Sequence, residues 1–142
     1  MYRILAPIGE DERRAQAVAD VIIDLPGSTD ELAVTLLNVF EGFEVSGEGE
    51  SINSEDIYDK SEFPSSVTLI EDELEANGIR VAKRREHGDP AEEILAVATE
   101  IDTDTIVMSS RKRSPTGKVL FGSTTQSVLL DADRPVTVTM RK

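Results

Sequence analysis

The sequence predicts an α/β protein with a five-stranded, mostly parallel sheet and helices on both of its faces. Two observations support this fold class: short apolar segments alternate with helical ones four times, and a fifth strand closes the series. Alternation of this kind requires parallel strands that are joined by right-handed crossovers. A length of 142 residues fits one compact domain, so we treat 1–142 as a single unit.

The first part of the chain contains two strands, one helix and a long acidic segment. Residues 3–8 form a short apolar strand, and residues 10–25 form a helix whose first turn is acidic and whose apolar residues recur at helical spacing. Residues 32–40 are nearly all apolar, which is typical of a central parallel strand. Residues 41–62 carry eight acids and one base, which predicts a mobile acidic excursion within the domain.

The second part continues the alternation of helices and strands. Asp89 provides the clearest helix start, because an N-cap residue is followed by Pro90 at the first helical position and by an acid in the first turn. The charged second half of residues 79–86 places that strand near an exposed margin of the sheet. The other predicted elements are helices at 64–77 and about 123–131 and strands at 105–108 and 135–140.

The charge balance is strongly acidic. The chain has 28 acidic and 15 basic residues and a formal net charge of −13 at pH 7, so we expect it to bind neither nucleic acid nor an anionic membrane. Apolar residues still make up 39% of the chain, which is enough for a core. We interpret the charge as adaptation to a salt-rich cytoplasm, that is, as halophilic; an acidic protein of an ordinary cytoplasm is the alternative.

The composition also excludes several kinds of site. The absence of Cys excludes disulfides, thiolate nucleophiles and sulfur-ligated metals, and the single His87 excludes a His-rich metal centre. No apolar run approaches the roughly 20 residues of a membrane span. Because the N-terminus leads directly into a strand-like segment, we expect a cytoplasmic protein without a signal peptide.

A basic loop after the fourth strand is the strongest candidate for a binding site. Residues 109–118 carry four bases and no acid, and they lead through Gly122 and Ser123 into a helix. A helix N-terminus offers unpaired N–H groups, glycine lets the backbone approach a phosphate, and Ser123 and Thr124 add hydroxyl donors. The pattern predicts a phosphate site at the carboxyl edge of the sheet. The alternative is a solvated basic loop that balances the acidic surface.

This part of the chain resembles the C-terminal signature of the universal stress protein family. The resemblance lies in IVMSSRKRSPTGKVLFGSTTQSVLLDADRPVTV at 106–138, with weaker matches in RILAPIGEDERRAQAV and HGDPAEEIL. It implies a sheet of flavodoxin-like or adenine-nucleotide alpha hydrolase-like layout and homodimers that pair through the last strand. It also implies an ATP site in which Gly-x-x-Gly, nine residues and Gly-Ser/Thr hold the phosphates.

The sequence departs from that pattern at three positions. Ser109 and Lys112 stand where ATP-binding members have the two glycines, and Gly9 stands where they usually have Asp after the first strand. A side chain in place of glycine blocks close approach of the backbone. Arg111 and Lys112 can supply charge-assisted contacts instead. The sequence therefore favours an anion or nucleotide pocket more firmly than it favours ATP.

We expect a stress-response protein that binds an adenine nucleotide (ATP, ADP or AMP) or another phosphate ligand, with Mg²⁺ accompanying a bound nucleotide. The sequence favours Val39 as a core residue and Met108 as a core or pocket-wall residue, and the resemblance implies that both contact the nucleotide. His87 is favoured as a loop residue, with a ligand contact as the alternative. The residues expected to line the site are Pro7, Val39, Met108, Ser109, Arg111, Lys112, Gly122, Ser123 and Thr124.

Two other functions remain as alternatives. One is a ligand-free interaction module of the same fold that has lost ATP binding and dimerises through the last strand, because an unpaired edge strand invites pairing. The other is an enzyme such as a slow ATPase. No convincing general base accompanies the basic loop, so we expect no enzymatic activity.

The interpretation of the acidic composition predicts that salt stabilises the fold, because salt screens the repulsion among acidic side chains. We expect the urea midpoint of unfolding, followed by circular dichroism, to rise between dilute buffer and multimolar KCl. A midpoint that stays level or falls contradicts the interpretation.

Overall fold

The structure is a computed structural model that describes residues 1–40, 63–111 and 121–141. The predicted acidic excursion at 41–62 and the predicted site residue Lys112 lie outside the described residues. The division of the chain into one domain over 1–142 therefore stays a prediction.

Within the described residues the chain alternates between strand and helix. The strands are β1 (Tyr2–Pro7), β2 (Leu32–Phe40), β3 (Arg80–His87), β4 (Thr105–Arg111) and β5 (Val136–Arg141). The α-helices are α1 (Glu12–Ile23), α2 (Ser65–Ala76), α3 (Pro90–Glu100) and α4 (Ser123–Asp131), and a short 3-10 turn at Thr29–Glu31 precedes β2. Every strand and helix predicted in these ranges is present, with ends that differ from the prediction by at most three residues.

The five strands form one sheet in the order β3-β2-β1-β4-β5, and every neighbouring pair is parallel. This confirms the predicted α/β fold class. Of the layouts expected from the resemblance, the flavodoxin-like strand order 2-1-3-4-5 is corrected, because the sheet has the order 3-2-1-4-5, which matches the first five strands of the Rossmann order.

The polarity of β2 and β3 explains this order. In β2, Val34, Leu36 and Leu37 are almost completely buried, which requires a strand that is covered on both faces and paired on both edges. In β3, Arg80 and Lys83 are exposed, which suits an edge strand. The flavodoxin-like order would place the apolar β2 at the edge and the charged β3 inside.

Two apolar clusters cover the two faces of the sheet. Helices α1 and α2 pack on one face, and α3 and α4 pack on the other, so the chain changes faces between β3 and β4. The first cluster contains Ile4, Ala6, Ile8, Ala15, Val18, Ala19, Ile22, Leu32, Val34, Leu36, Val67, Ile70, Leu74, Ile79 and Val107. The second contains Leu5, Leu37, Ala91, Ile94, Val97, Ala98, Ile106, Met108 and Val128.

Aspartate side chains begin two of the helices. Asp89 Oδ2 accepts a hydrogen bond from Glu92 N at 3.1 Å at the start of α3, which confirms the predicted cap. At the start of α1, Asp11 Oδ1 accepts from Arg13 N at 2.9 Å and from Arg14 N at 3.2 Å. Both helices therefore start at a point that the sequence determines locally.

Arg84 ties the edge strand β3 to the end of α3. Its guanidinium donates to both carboxylate oxygens of Glu100, at 3.0 and 2.8 Å, and its Nε donates to Glu86 Oε2 at 2.7 Å. The hydrogen bonds to Glu100 and Glu86 raise the pKa of Arg84, and the bonds from Arg84 lower the pKa of the Glu100 carboxyl. Because Glu100 is exposed, we treat this pair as a positional contact rather than a large source of stability.

Adjacent residues of α2 allow a matched test of the first core cluster. Ile70 is fully buried, whereas its neighbour Leu69 is 47% exposed. We expect Ile70→Ala to lower the free energy of unfolding by about 2–5 kcal/mol, because it leaves a cavity between α2 and the sheet. Leu69→Ala should change it by less than about 1 kcal/mol. Urea unfolding of both variants measures the difference, and equal effects would contradict the assigned packing of α2.

Candidate functional site

A cavity of about 230 Å³ opens at the carboxyl ends of β1, β2 and β4. Its place is the topological switch point, where the chain has run to one side of β1 and then continues on the other. The lining residues are Pro7, Ile8, Gly9, Glu10, Asp11, Arg14, Ala15, Leu37, Val39, Pro90, Ile94, Met108, Ser109, Thr124 and Thr125.

The pairing between β1 and β4 explains why a cavity forms there. In the described residues of the two strands, the register pairs Ile4 with Thr105 and Leu5 with Ile106. β1 nevertheless continues to Pro7, and β4 continues to Arg111. The cavity lies where these two strand ends are no longer paired with each other, while β1 stays paired with β2 and β4 with β5.

Hydrogen bonds fix the loop that follows β1. Ile8 N donates to Leu37 O at 2.8 Å, and Asn38 Nδ2 donates to Ile8 O at 3.0 Å. Ser66 Oγ, at the start of α2, donates to Gly9 O at 2.6 Å. The carbonyls of Ile8 and Gly9 are therefore engaged, and the loop at the floor of the cavity is held from two neighbouring elements.

One side of the cavity is apolar. Leu37 and Met108 are buried strand residues, Val39 lies two residues after Leu37 on the same face of β2, and Ile94 belongs to the buried stripe of α3. These side chains present no hydrogen-bonding groups apart from the weakly polar methionine sulfur. Such a wall can pack against the flat face of a heterocyclic ring.

Another part of the cavity lining is polar and includes the beginning of α4. This helix begins at Gly122 without a side-chain cap, and Thr124 and Thr125 of its first turn line the cavity. Gly122 N donates to Ser110 Oγ at 3.1 Å, which fixes the helix start against β4. A Cβ atom added to Gly122 would meet no atom of the described residues within 4 Å. Backbone N–H groups at an uncapped helix start can bind an anion.

Arg14 brings a positive charge into the cavity from α1. Its Nε donates to Ser109 Oγ at 3.4 Å, and its Nη2 donates to Ser109 O at 3.2 Å. Among the described carboxylates, none forms an ion pair with this half-buried guanidinium. Asp11 also lines the cavity, but its carboxylate accepts the two backbone N–H bonds that cap α1.

The structure brings together five of the nine residues that the sequence predicts for the site, which are Pro7, Val39, Met108, Ser109 and Thr124. Gly122 and Ser123 lie at the start of α4 without lining the cavity, and Ser123 is exposed. Arg111 is the last residue of β4, and Lys112 lies outside the described residues. The ligand contacts assigned to these residues stay predictions.

His87 and several unpredicted residues also have defined positions. His87 ends the edge strand β3, where its ring meets Phe40 edge to face at 5.4 Å, and it does not line the cavity. Ten further residues line the cavity although the sequence did not predict them as site residues: Ile8, Gly9, Glu10, Asp11, Arg14, Ala15, Leu37, Pro90, Ile94 and Thr125. The signal for Leu37 was its period-two spacing from Val39. Arg14 gave no such signal, because it lies among charged residues at the helix start.

Two kinds of feature are absent from the described residues 1–40, 63–111 and 121–141. No helix there is long and apolar enough to cross a membrane. In the same ranges, no group of three or more His, Cys, Asp and Glu side chains is arranged to hold a metal ion.

Known proteins share both sequence and fold with this chain. The model of the universal stress protein family matches residues 1–139. A universal stress protein of Methanocaldococcus jannaschii is 36% identical over 81 residues, and one of Mycolicibacterium smegmatis is 34% identical over 84 residues. Each alignment covers 57% of this chain, and the two alignments span 50% and 65% of the relatives' own lengths.

Solved structures extend the likeness over the full fold. The structure of the M. jannaschii protein has a TM-score of 0.73 at 25% identity and covers 99% of this chain and 96% of its own. A universal stress protein of Archaeoglobus fulgidus in complex with dAMP has a TM-score of 0.63 at 16% identity, with 97% of each chain covered. A universal stress protein in complex with cAMP has a TM-score of 0.69 at 13% identity, with 99% and 98% covered. The family model and the shared fold together show that the chain belongs to the universal stress protein family.

Proposed function

We propose that this protein is a cytoplasmic stress-response protein that binds an adenine nucleotide in the cavity at the carboxyl ends of β1, β2 and β4. The observation that carries the proposal is one cavity whose lining combines an apolar wall with residues of the first turn of α4, a helix that begins without a side-chain cap. A nucleotide has the same two parts, a flat ring and an anionic phosphate. Relatives of the same fold in complex with dAMP and cAMP support this choice of ligand.

The proposed orientation follows from the two sides of the cavity. The ring packs against Leu37, Val39 and Met108, where it displaces water from apolar surface. The phosphate lies toward Ser109 and Thr124, close to the start of α4. A bound ATP or ADP would bring Mg²⁺ with its phosphates.

The basic loop after β4 is proposed to complete the phosphate side. β4 ends at Arg111, two residues beyond the cavity-lining Ser109, so the loop leaves the strand beside the site. Arg111 and Lys112 are the first bases of that loop. Charge-assisted hydrogen bonds from such side chains can replace backbone N–H contacts to a phosphate.

Calorimetric titration with Mg-ATP, Mg-ADP and AMP in high-potassium buffer tests this proposal. We expect saturable binding of at least one nucleotide, and we expect Lys112→Glu to weaken it about tenfold or more, because it reverses a charge at a phosphate contact. Arg80→Glu is the matched control. It makes the same change in net charge on an exposed residue of β3, at the opposite end of the strands.

The outcomes separate the parts of the proposal. Folded protein that releases no heat with any of the three nucleotides contradicts nucleotide binding. An equal loss of affinity in Lys112→Glu and Arg80→Glu would assign the effect to overall charge and would remove the basic loop from the site. Assaying the same samples for released phosphate over hours tests the further proposal that the protein binds nucleotide without hydrolysing it.

A second candidate function, a dimeric interaction module, is favoured by the exposed edge of β5. Pro135 O accepts from Ile106 N, so the alternation of the strand turns the backbone groups of Val136, Val138 and Met140 away from β4. The Met140 side chain is 41% exposed beside this open edge. We propose that two copies pair through β5, with or without a bound nucleotide.

Replacing Met140 tests pairing through β5. Met140→Pro removes an N–H that faces away from β4, so it should turn a dimer into a monomer while the β4–β5 ladder is kept. Met140→Leu keeps the N–H and should stay dimeric. Light scattering during size exclusion measures the mass of each variant. A wild-type protein that is monomeric at all concentrations, or a Met140→Pro variant that stays dimeric, contradicts this interface.

A further inference from the structure

We propose that Arg14 makes the cavity select ligands with a doubly charged phosphate monoester over neutral or singly charged ligands of the same ring system. The inference rests on the proposed nucleotide binding and adds the residue that determines which charge state is preferred. Arg14 lies outside the basic loop, on a different element and on the other side of β4 from α4.

The position of Arg14 gives its guanidinium little freedom to leave the cavity. Arg14 follows the Asp11 cap by three residues, in the first turn of α1, and its side chain is half-buried. α1 packs on the face of the sheet that carries Val107, two residues before Ser109 on β4. The helix therefore directs the guanidinium over the end of β4, where Ser109 lines the cavity.

The hydrogen bonds of Arg14 leave most of its donor capacity for a ligand. A guanidinium carries five N–H donors in a planar fork. The structure gives it two contacts, to Ser109 Oγ at 3.4 Å and to Ser109 O at 3.2 Å. Both distances lie at or beyond the upper end of the usual range for N–H···O bonds, whereas charge-assisted bonds to phosphate are about 2.7–2.9 Å. A phosphate would offer shorter and stronger bonds.

Arg14 also differs from the described bases that form ion pairs. Lys83 pairs with Glu71, Arg84 pairs with Glu86 and Glu100, and Arg134 pairs with neighbouring aspartates. Although the sequence has 28 acids and Glu10 and Asp11 line the same cavity, this half-buried guanidinium forms no ion pair with a described carboxylate. A charge held in a partly desolvated cavity interacts strongly with an anion.

The fork shape and the charge of Arg14 together point to phosphate monoesters. A terminal phosphate presents two oxygens to a guanidinium at once, which gives bidentate geometry as well as charge. The interaction grows with the charge on the ligand, while packing of the ring on the apolar wall does not depend on that charge. Arg14 should therefore separate AMP from cAMP and adenosine, which share the same ring.

A purely structural role predicts a different result. If Arg14 only ties α1 to β4 through Ser109, its replacement lowers stability and changes the affinity for all three ligands by a similar factor. If it fills the cavity and competes with ligands, its replacement raises affinity. The charge dependence of the loss is therefore the informative measurement.

The experiment compares adenosine, cAMP and AMP as ligands of the wild-type protein, Arg14→Gln, Arg14→Lys and Arg13→Gln. We expect Arg14→Gln to lower the affinity for AMP at least tenfold, the affinity for cAMP by a smaller factor, and the affinity for adenosine by less than twofold. The AMP affinity of Arg14→Lys should lie between those of the wild-type protein and Arg14→Gln, since lysine keeps the charge and lacks the planar fork of donors. Arg13→Gln removes the same charge from the exposed neighbouring residue and should change none of the three.

Phosphorus NMR supplies a readout that a structural role would not move. The second pKa of a phosphate monoester is about 6, and a guanidinium in contact lowers it by favouring the doubly charged form. We expect the pKa of bound AMP to be lower in the wild-type protein than in Arg14→Gln. This measurement also decides the matter if adenosine binds too weakly for calorimetry.

Each result has one meaning. A selective loss of AMP affinity in Arg14→Gln, together with a raised pKa of the bound phosphate, supports the proposal. Equal losses for all ligands, an unchanged phosphate pKa, or a gain in AMP affinity in Arg14→Gln overturns it, while nucleotide binding by the protein still stands. A wild-type protein that binds none of adenosine, cAMP and AMP overturns this inference, and the proposed function falls with it only if Mg-ATP and Mg-ADP also fail to bind.

Discussion

The burial of β1 on both faces is the constraint on which the rest of the structure depends. Ile4, Leu5 and Ala6 are each at most 1% exposed, with Ile4 and Ala6 in one apolar cluster and Leu5 in the other. A strand of this kind must lie inside the sheet, so one neighbour has to come from each half of the chain. The two layers of helices and the place of the switch point follow from that position.

The same arrangement decides where polar groups can meet a ligand. Buried backbone groups must be paired, and the ladder supplies partners along β1 until the strand ends at Pro7. Beyond this point Asn38 and Ser66 donate to the carbonyls of Ile8 and Gly9. The loop is thus fixed without using the groups that face the cavity, which leaves those groups available for binding.

Positive charge is unevenly used in this acidic protein. Most acids lie on the surface, and described bases such as Arg84 serve to hold elements together through carboxylates. At the cavity the arrangement is reversed, since the carboxylate of Asp11 is engaged in a helix cap and the guanidinium of Arg14 contacts a hydroxyl and a carbonyl. An anion that approaches this edge of the sheet would therefore meet a guanidinium that no described carboxylate pairs with, beside the carboxylates of Glu10 and Asp11.

The fold could be predicted from the sequence because its signals are local. Apolar runs or apolar periodicity marked most of the described elements, and Asp89 marked the start of α3 by the chemistry of its side chain. Predicting the strand order requires one further comparison, between the apolar β2 and the charged β3. This difference in polarity is visible in the sequence.

The cavity was predictable only in part, because it forms between elements that are distant in the chain. Pro7, Val39 and Met108 could be expected there since the carboxyl ends of parallel strands share one edge. Arg14 could not, because its exposed neighbours Glu12 and Arg13 give α1 an ordinary solvated start. Its role depends on the crossing of α1 over β4, and one sequence alone does not contain that crossing.

The short ladder between β1 and β4 also has a consequence for motion. It joins a three-stranded unit, β1 to β3, to a two-stranded unit, β4 and β5, through the register pairs Ile4–Thr105 and Leu5–Ile106. Opening the sheet along this line breaks fewer backbone hydrogen bonds than opening it between β1 and β2, so slow breathing of the molecule is easiest there. A ligand held across the line would slow that breathing, and the amide hydrogens of both units would exchange with solvent more slowly as a single cooperative body.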